Sequence, residues 1–225
     1  MERELLNDSL PLFPLDNVVL FPSVHVPLHI FEPRYRQMAT HALEGDQRIG
    51  MVALQGRAID DHGNPRVFSV GCEGSIEHSE SLPDGRFNLL LAGRQRFRIV
   101  EEFPPGEGRL YRTARVVPLP DVLPSTTQER NTLSHQRLDV MRHLDQLLRR
   151  VSSELADEIS SEALERFDDG TFVNTLCQAI DFAPSEKQGL LETDSLLARI
   201  DQLDALLSFR LAQVRGGAFH PDRLH

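Results

Sequence analysis

The segment VVPLPDVLPSTT, residues 116–127, divides the sequence into two halves with different hydrophobic periods. Its three prolines exclude a regular helix and disfavour a central strand. Before it, short apolar runs are separated by Pro, Gly and Asp, which is typical of β-strands. After it, apolar residues recur every three or four positions, which is typical of amphipathic helices. The sequence therefore predicts an α+β protein with a β subdomain at 1–118, a helical subdomain at 119–215 and a flexible tail at 216–225.

The first half contains seven predicted strand segments: LPLFPL, NVVLF, RIGMVAL, FSVGCEGSIEHSESL, RFNLLLAG, RFRIVEEF and YRTARVVPL. Asp84-Gly85 in LPDGR predicts a hairpin turn of the primed type, because both residues readily take positive φ angles. LAGRQRF predicts a second turn, with Gly93 as its flexible point. One helix interrupts the strands, beginning at Pro33 and stopping at Gly45. The apolar residues on one face of this helix are Tyr35, Met38, Ala39, Ala42 and Leu43.

The second half predicts a bundle of helices that ends in a long one. Ser125 with Gln128, or Thr126 with Glu129, forms a capping box at its start, and Ser185 with Gln188 predicts another. Further helical pieces are expected around Ile159, Ala163 and Phe167 and from Thr171 onward. The last helix spans 194–214, with apolar residues at Leu196, Ile200, Leu203, Leu207, Leu211 and Val214. It packs on its own chain or, as an alternative, supports weak homo-oligomerisation.

Charge and lysine usage exclude several functions. The net charge of −10 argues against nucleic acid as the main partner. Accordingly, the three arginines of GRQRFR, residues 93–98, are expected to be solvated. Of the 24 basic residues only Lys187 is a lysine (24 − 1 = 23 arginines), and it is followed by Gln188, so no phosphate-binding P-loop is possible. Ser185 and Lys187 are two apart on a predicted helix and do not face each other, which excludes a Ser–Lys dyad there.

The sequence predicts no catalytic, cofactor or metal site. Cys72 and Cys177 are far apart in sequence and form neither a disulfide framework nor a paired-cysteine zinc motif. His25 and His29 lie about 13 Å apart if the segment is extended, too far to share one zinc ion. The sequence has no signal peptide and no membrane-spanning apolar run, so a cytoplasmic location without membrane contact is expected.

Several blocks resemble the N-terminal domain of Lon ATP-dependent proteases. They are LPLFPLDNVVLFPSVHVPLHIFEPRYRQM, IGMVAL, VGCEGSI, LPDGRFNLLLAGRQRFRI, YRTARVVPL and SEKQGLLETDSLLARIDQLDALL, and together they extend over residues 10–215. The resemblance implies a bacterial PUA-like β pseudo-barrel with one inserted helix, followed by a C-terminal helical bundle. One departure is Ser23, where many members have Gly after FP.

The resemblance implies a non-catalytic, substrate-binding module that weakly binds unfolded or exposed apolar protein segments. The ATPase and Ser–Lys peptidase domains of full-length Lon fit neither the length nor the lysine count, so a stand-alone domain that is not an enzyme is expected. An adaptor of a complete Lon-type protease or chaperone and an RNA-binding PUA-like protein are the alternatives. The candidate peptide contacts lie in LFPSVHVPLHIFEPRYR, residues 20–36: Phe21, His29, Phe31 and Arg34. The alternative for Phe21 and Phe31 is a place in the core, which is the commoner role of such apolar residues.

Overall fold

A computed structural model describes residues 9–60, 64–106, 108–151, 164 and 166–215 of the chain. Seven strands and five helices lie within these ranges. The predicted helical piece around Ile159 and Ala163 and the predicted tail at 216–225 lie outside the described residues. None of the described helices is both long and apolar enough to cross a membrane.

The strands form a sheet that closes on itself. The order is β1-β7-β6-β5-β3, and a parallel pairing of β1 with β3 closes the ring, while the other pairings are antiparallel. Strand β2 pairs with the first half of β6, and β4 pairs with the far end of β3. The strands are β1 Leu10–Leu15, β2 His25–Ile30, β3 Arg48–Ile59, β4 Pro65–Val67, β5 Val70–Ser81, β6 Phe87–Phe103 and β7 Thr113–Pro118.

A cluster of apolar side chains from five strands fills one part of the barrel interior. Its fully buried members come from positions that alternate along the strands, as a barrel requires. They are Leu10, Leu12, Val52, Val67, Phe97 and Ala114, with Leu54, Ile99 and Val116 packed against them. Long-range strand pairing thus carries the fold of this half of the chain.

Helix α1, Pro33–Glu44, is the inserted helix and has the predicted bounds. Pro33 stands at its first turn, where no main-chain donor is lost, and Gly45 ends it. The buried face consists of Tyr35, Met38, Ala39 and Ala42. Only two residues separate the end of β2 from the start of α1, so the end of that strand lies beside the first turn of the helix.

The remaining helices are α2 Thr127–Val151, α3 Asp169–Ala179, α4 Pro184–Glu192 and α5 Leu196–Arg215. Helices α2 and α5 pack against each other, and α5 buries Leu196, Ile200, Leu203, Leu207 and Leu211 as the spacing predicts. The capping box at the start of α2 is formed by Thr126 and Glu129. Glu129 N–H donates to Thr126 Oγ1 (3.1 Å), and Thr126 N–H donates to Glu129 Oε2 (2.9 Å).

The chain divides into two compact units. The barrel unit comprises the residues up to Pro120 together with Asn174–Glu192, and the helical unit comprises Asp121–Val173 together with the residues from Thr193 onward. The α+β class, the closed sheet with one inserted helix and the long last helix are as predicted. Subdomain bounds at residues 118 and 119 stay a prediction, because compactness alone does not test independent folding.

Several local predictions are wrong. NVVLF forms no strand; Val19, Leu20 and Phe21 are buried in an irregular segment instead. Ser185 and Gln188 form no capping box: Glu186 Oε2 accepts from Ala183 N–H (2.7 Å), while the Gln188 side chain donates to the Val70 carbonyl (3.0 Å).

Two predictions in the β5–β6 region are also corrected. Gly93 is no turn, since β6 runs through it; a Cβ there would overlap the carbonyl oxygen of Phe21, so the glycine permits a close backbone approach. Arg96 is not solvated but 1% exposed, and it donates to the Leu191 carbonyl at the end of α4 (2.9 Å). The hairpin turn exists, but only Gly85 has a positive φ (79°) there, so it is a three-residue loop with a left-handed glycine.

Candidate functional site

Strand β2 presents an open edge. It pairs with β6 on one side, and within the described part of the chain no strand pairs with the other. Gly93 N–H donates to the Val24 carbonyl (2.8 Å), so even-numbered residues face β6. Because main-chain groups alternate sides along a strand, those of His25, Pro27 and His29 face outward. Pro27, which has no N–H, therefore costs the pairing with β6 nothing.

His29 has a polar partner at each ring nitrogen at the end of this edge. Its Nδ1 lies 2.8 Å from Asn88 Oδ1, and Asn88 Nδ2 in turn donates to Glu80 Oε2 (2.7 Å). Arg86 NH1 lies 3.2 Å from His29 Nε2. The imidazole is therefore oriented by residues of β6 and of the turn that precedes it.

Phe31 is the exposed aromatic residue next to the edge. Its side chain is 60% exposed and stacks on the His29 ring, with 6.2 Å between centroids and 27° between planes. Three residues further on, Arg34 donates to Glu32 Oε2 (2.9 Å) and lies 4.5 Å from the centroid of the Tyr35 ring. We call the outward main chain of β2 together with His29, Phe31 and Arg34 the edge patch.

The fourth candidate, Phe21, is not in the edge patch. It is fully buried, its N–H donates to Gln178 Oε1 (3.2 Å), and its carbonyl approaches Gly93. In this conformation Phe21 belongs to the core of the barrel unit. His29, Phe31 and Arg34 are all exposed, and His29 and Phe31 contact each other, while the role of the three as peptide contacts stays a prediction.

Sequence reasoning missed the hairpin residues that frame the edge patch. Arg86 and Asn88 lie more than 50 positions from His29, and only the pairing of β2 with β6 brings them to it. Arg86 also donates from Nε to Asp84 Oδ2 (2.6 Å). The Arg86 backbone N–H, and then its side chain, hold the pKa of the Asp84 carboxyl below its ordinary value. A charged residue directly after a predicted hairpin turn was the available signal.

The helical unit brings a serine, a histidine and an aspartate together without forming a catalytic triad. Asp204 Oδ1 lies 2.7 Å and Ser208 Oγ 3.3 Å from the same atom, His143 Nδ1. A Ser–His–Asp hydrolase needs its serine and aspartate on opposite ring nitrogens. This cluster therefore serves as a polar contact between α2 and α5.

Lys187 is committed to main-chain contact in the barrel unit. Its Nζ donates to the Gln178 carbonyl (2.7 Å) at the end of α3. Burial lowers the pKa of the Lys187 ammonium, while the Asp181 carboxylate opposes that shift. The contact is that of a helix C-cap. Across the described ranges, no three His, Cys, Asp or Glu side chains are grouped so as to hold a metal ion.

Comparison with known proteins identifies relatives along most of the chain. The family model of the ATP-dependent protease La (LON) substrate-binding domain matches residues 9–208. The Lon protease of Trichlorobacter lovleyi is 30% identical over 215 residues, which is 92% of this chain and 25% of that protein. The Lon protease of Dictyoglomus thermophilum is 25% identical over 218 residues, 93% of this chain and 26% of that protein. The chain thus spans about a quarter of the length of these curated relatives.

Two solved structures share the fold. The N-terminal domain of a Mycobacterium avium complex Lon protease has a TM-score of 0.67 and 18% identity, with 89% of this chain and 98% of that chain covered. A Lon N-terminal domain protein from Xanthomonas campestris has a TM-score of 0.61 and 23% identity, with 88% and 97% covered.

Proposed function

Because the chain belongs to the family of the Lon substrate-binding domain, we propose that it recognises protein substrates through the edge patch. It takes extended, exposed apolar segments of other polypeptides and performs no catalysis itself. One observation carries this proposal: a strand edge that no described strand pairs with lies directly beside an exposed phenylalanine.

The edge patch suits a polypeptide in extended conformation. An added strand would use the outward carbonyls of His25, Pro27 and His29 and the outward N–H groups of His25 and His29. Such main-chain bonds form with any sequence, so they give affinity without selectivity. Phe31 would then favour segments that place an apolar side chain on its ring.

Simple energetics predict weak binding. Each main-chain hydrogen bond contributes about 1 kcal/mol net, and covering an exposed aromatic ring contributes about 2 kcal/mol. Association costs several kcal/mol in lost translational and rotational freedom. With five such bonds and one ring the gross gain is about 7 kcal/mol, so the balance is about 3 kcal/mol and corresponds to dissociation constants in the millimolar range, which is suited to transient sampling of many substrates.

The test of the strand edge uses His29→Pro, with His29→Ala as its matched control. Both variants lose the imidazole, but only proline loses the outward N–H. Binding is measured by fluorescence anisotropy with a labelled, apolar, unstructured peptide. We expect His29→Pro to bind at least threefold more weakly than His29→Ala. Equal affinities would show that the peptide does not add to the β2 edge.

The test of the apolar contact compares Phe31→Ala with Ile59→Ala. Ile59 is also on the barrel unit and is 62% exposed, so its removal changes general surface hydrophobicity alone. We expect Phe31→Ala to lower the affinity for the peptide about tenfold and Ile59→Ala to change it less than twofold. No saturable peptide binding by the unaltered protein up to millimolar concentration would contradict the proposed function as a whole, and binding displaced by unstructured RNA would favour the nucleic-acid alternative.

A further inference from the structure

A cleft next to the edge patch contains an arginine whose side chain has no partner among the described residues. The cleft has a volume of about 440 Å³ and lies between the first turns of α1 and the turn of the β5–β6 hairpin. Arg36 is half-buried in it, and its guanidinium makes no hydrogen bond or ion pair with the part of the chain that is described. The lining residues, which define the arginine cleft, are Pro33, Arg36, Gln37, Thr40, Gly85 and Phe87.

The neighbouring carboxylates already have other partners. Glu32 accepts from Arg34, with 2.8 Å between Oε2 and NH2, and Asp84 accepts from Arg86, with 2.6 Å between Oδ2 and Nε. These two acidic residues come closest to the cleft along the chain, on either side of it. Among the described residues, Arg36 is therefore a cation of the cleft that no carboxylate neutralises.

The guanidinium lies directly against the hairpin turn. Gly85 has a φ of 79°, and a Cβ at this position would overlap Arg36 NH2. A residue with a side chain would displace the guanidinium, so glycine serves both the left-handed turn and the close approach.

The polar side chains around Arg36 leave it as the anion-binding group. Gln37 is engaged at both ends of its amide, since its Nε2 donates to the Gly108 carbonyl and its Oε1 accepts from Leu110 N–H, each at 2.7 Å. Pro33 and the half-buried Phe87 supply apolar wall. The cleft thus combines one unneutralised guanidinium with apolar surface, which suits a carboxylate carried on an apolar stem.

We propose that the arginine cleft binds the side-chain carboxylate of an aspartate or glutamate in the protein segment that the edge patch holds. The cleft lies beside that patch: Phe31 stacks on His29, which contacts Arg86, and the neighbouring residue Gly85 lines the cleft. A segment bound along β2 and over Phe31 continues past the cleft, so the anion is an internal side chain rather than a chain terminus. The preferred substrate is then an apolar segment with an acidic residue at one end. This inference rests on the proposed function.

The experiment uses peptides that differ in one atom group. A labelled apolar peptide with one glutamate, acetylated and amidated at its ends, is compared with the same peptide carrying glutamine. We expect the glutamate peptide to bind the unaltered protein about fivefold more tightly, the size of a partly exposed, charge-assisted contact. Arg36→Gln should abolish that difference and leave the affinity for the glutamine peptide unchanged. Arg98→Gln, an exposed arginine of β6, removes the same charge elsewhere and should keep the difference.

The outcomes separate this inference from the proposed function. If both peptides bind the unaltered protein equally well, the inference is overturned while peptide binding itself stands. If the glutamine peptide with a free C-terminal carboxylate binds as tightly as the amidated glutamate peptide, the assignment to a side chain is overturned. Loss of preference in Arg98→Gln as strong as in Arg36→Gln would reduce the effect to net charge and also overturn the inference. If neither peptide binds, the proposed function fails and this inference fails with it.

Discussion

The barrel unit and the helical unit each bury an arginine, and each offers a different constraint to test. In the barrel unit, Arg96 donates to the main-chain carbonyl of Leu191, and the surrounding strands approach one another so closely that several positions accept only glycine. In the helical unit, Arg199 is fully buried and donates to both oxygens of Asp121, at 2.7 and 3.0 Å, and to the Thr193 carbonyl. Close backbone packing is therefore the constraint to test in the barrel unit, and the buried Arg199–Asp121 pair is the one to test in the helical unit.

The largest expected effect comes from Asp121→Asn, which removes the charge that compensates Arg199. Leaving a buried guanidinium without its carboxylate costs about 3 kcal/mol, because Arg199 has no exposed surface through which water could replace the partner. Urea unfolding measures the loss in the free energy of unfolding, and faster amide exchange along α5 should show that the loss falls on the helical unit.

The matched control for that variant is Asp145→Asn. Asp145 pairs with Arg149 on the surface of α2, with both side chains more than half exposed. An exposed pair of this kind contributes less than about 0.5 kcal/mol. Equal destabilisation by the two variants would show that the buried Arg199–Asp121 pair contributes no more to stability than the exposed Arg149–Asp145 pair.

The next effect tests backbone fit in the barrel unit through Gly93→Ala. The added methyl group overlaps the Phe21 carbonyl oxygen, which is main chain and cannot turn aside. Overpacking of this kind costs about 2 kcal/mol. Thermal unfolding should show the loss, and Gly106→Ala, where nothing lies within 4 Å, should show little. An unchanged unfolding temperature for Gly93→Ala would show that β6 can shift to accommodate the methyl group.

The features that could be predicted from sequence are those set by local chemistry. Helix α1, the hairpin at Gly85 and the capping box of Thr126 with Glu129 each depend on residues within a few positions of one another. His29, Phe31 and Arg34 are close together in the sequence, but their role as peptide contacts stays a prediction. In the helix, the hairpin and the capping box, the residues that interact are close together in the sequence.

The features that could not be predicted depend on what the fold brings from far away. Arg96 looks like a surface residue of a strand until α4, almost 100 positions later, covers it. Gly93 looks like a turn until Phe21 is placed against it. The arginine cleft needs Arg36 and Gly85, which share no local pattern. Phe21, a candidate contact by its neighbourhood in sequence, is buried for the same reason.

A smaller effect concerns acid and the helical unit. Hydrogen bonds from Thr126 N–H and then Ser125 N–H lower the pKa of Glu129 from 4.5 to about 2. Because the folded-state pKa is depressed, Glu129 stabilises the start of α2 fully above about pH 4.5, and this contribution is lost as the pH falls towards 2. NMR titration of the Glu129 carboxyl should give a midpoint near 2, and amide protection at the start of α2, relative to the intrinsic exchange rate at each pH, should fall in the same range.

The control for the acid effect is Glu129→Gln. The amide can still accept the capping hydrogen bonds but does not titrate, so amide protection at the start of α2, relative to the intrinsic exchange rate at each pH, should stay constant between pH 4.5 and 2. A midpoint for Glu129 near its ordinary value would show that the capping box is open in solution.

The smallest effect concerns Ser23, whose φ of 65° lies in the left-handed region. Gln47 is the other described non-glycine residue with a positive φ, and both belong to the barrel unit. Strain of this kind costs about 1–2 kcal/mol for a residue with a Cβ, and glycine relieves it while losing about 0.5–1 kcal/mol through greater freedom of the unfolded chain. Ser23→Gly should therefore raise stability by about 0.5 kcal/mol. Ser23→Ala keeps the strain and should give no gain, so thermal unfolding of the pair isolates the backbone term. A gain in stability in both variants would trace the effect to the serine hydroxyl. Backbone strain at Ser23 would then no longer support close backbone packing as the constraint on the barrel unit.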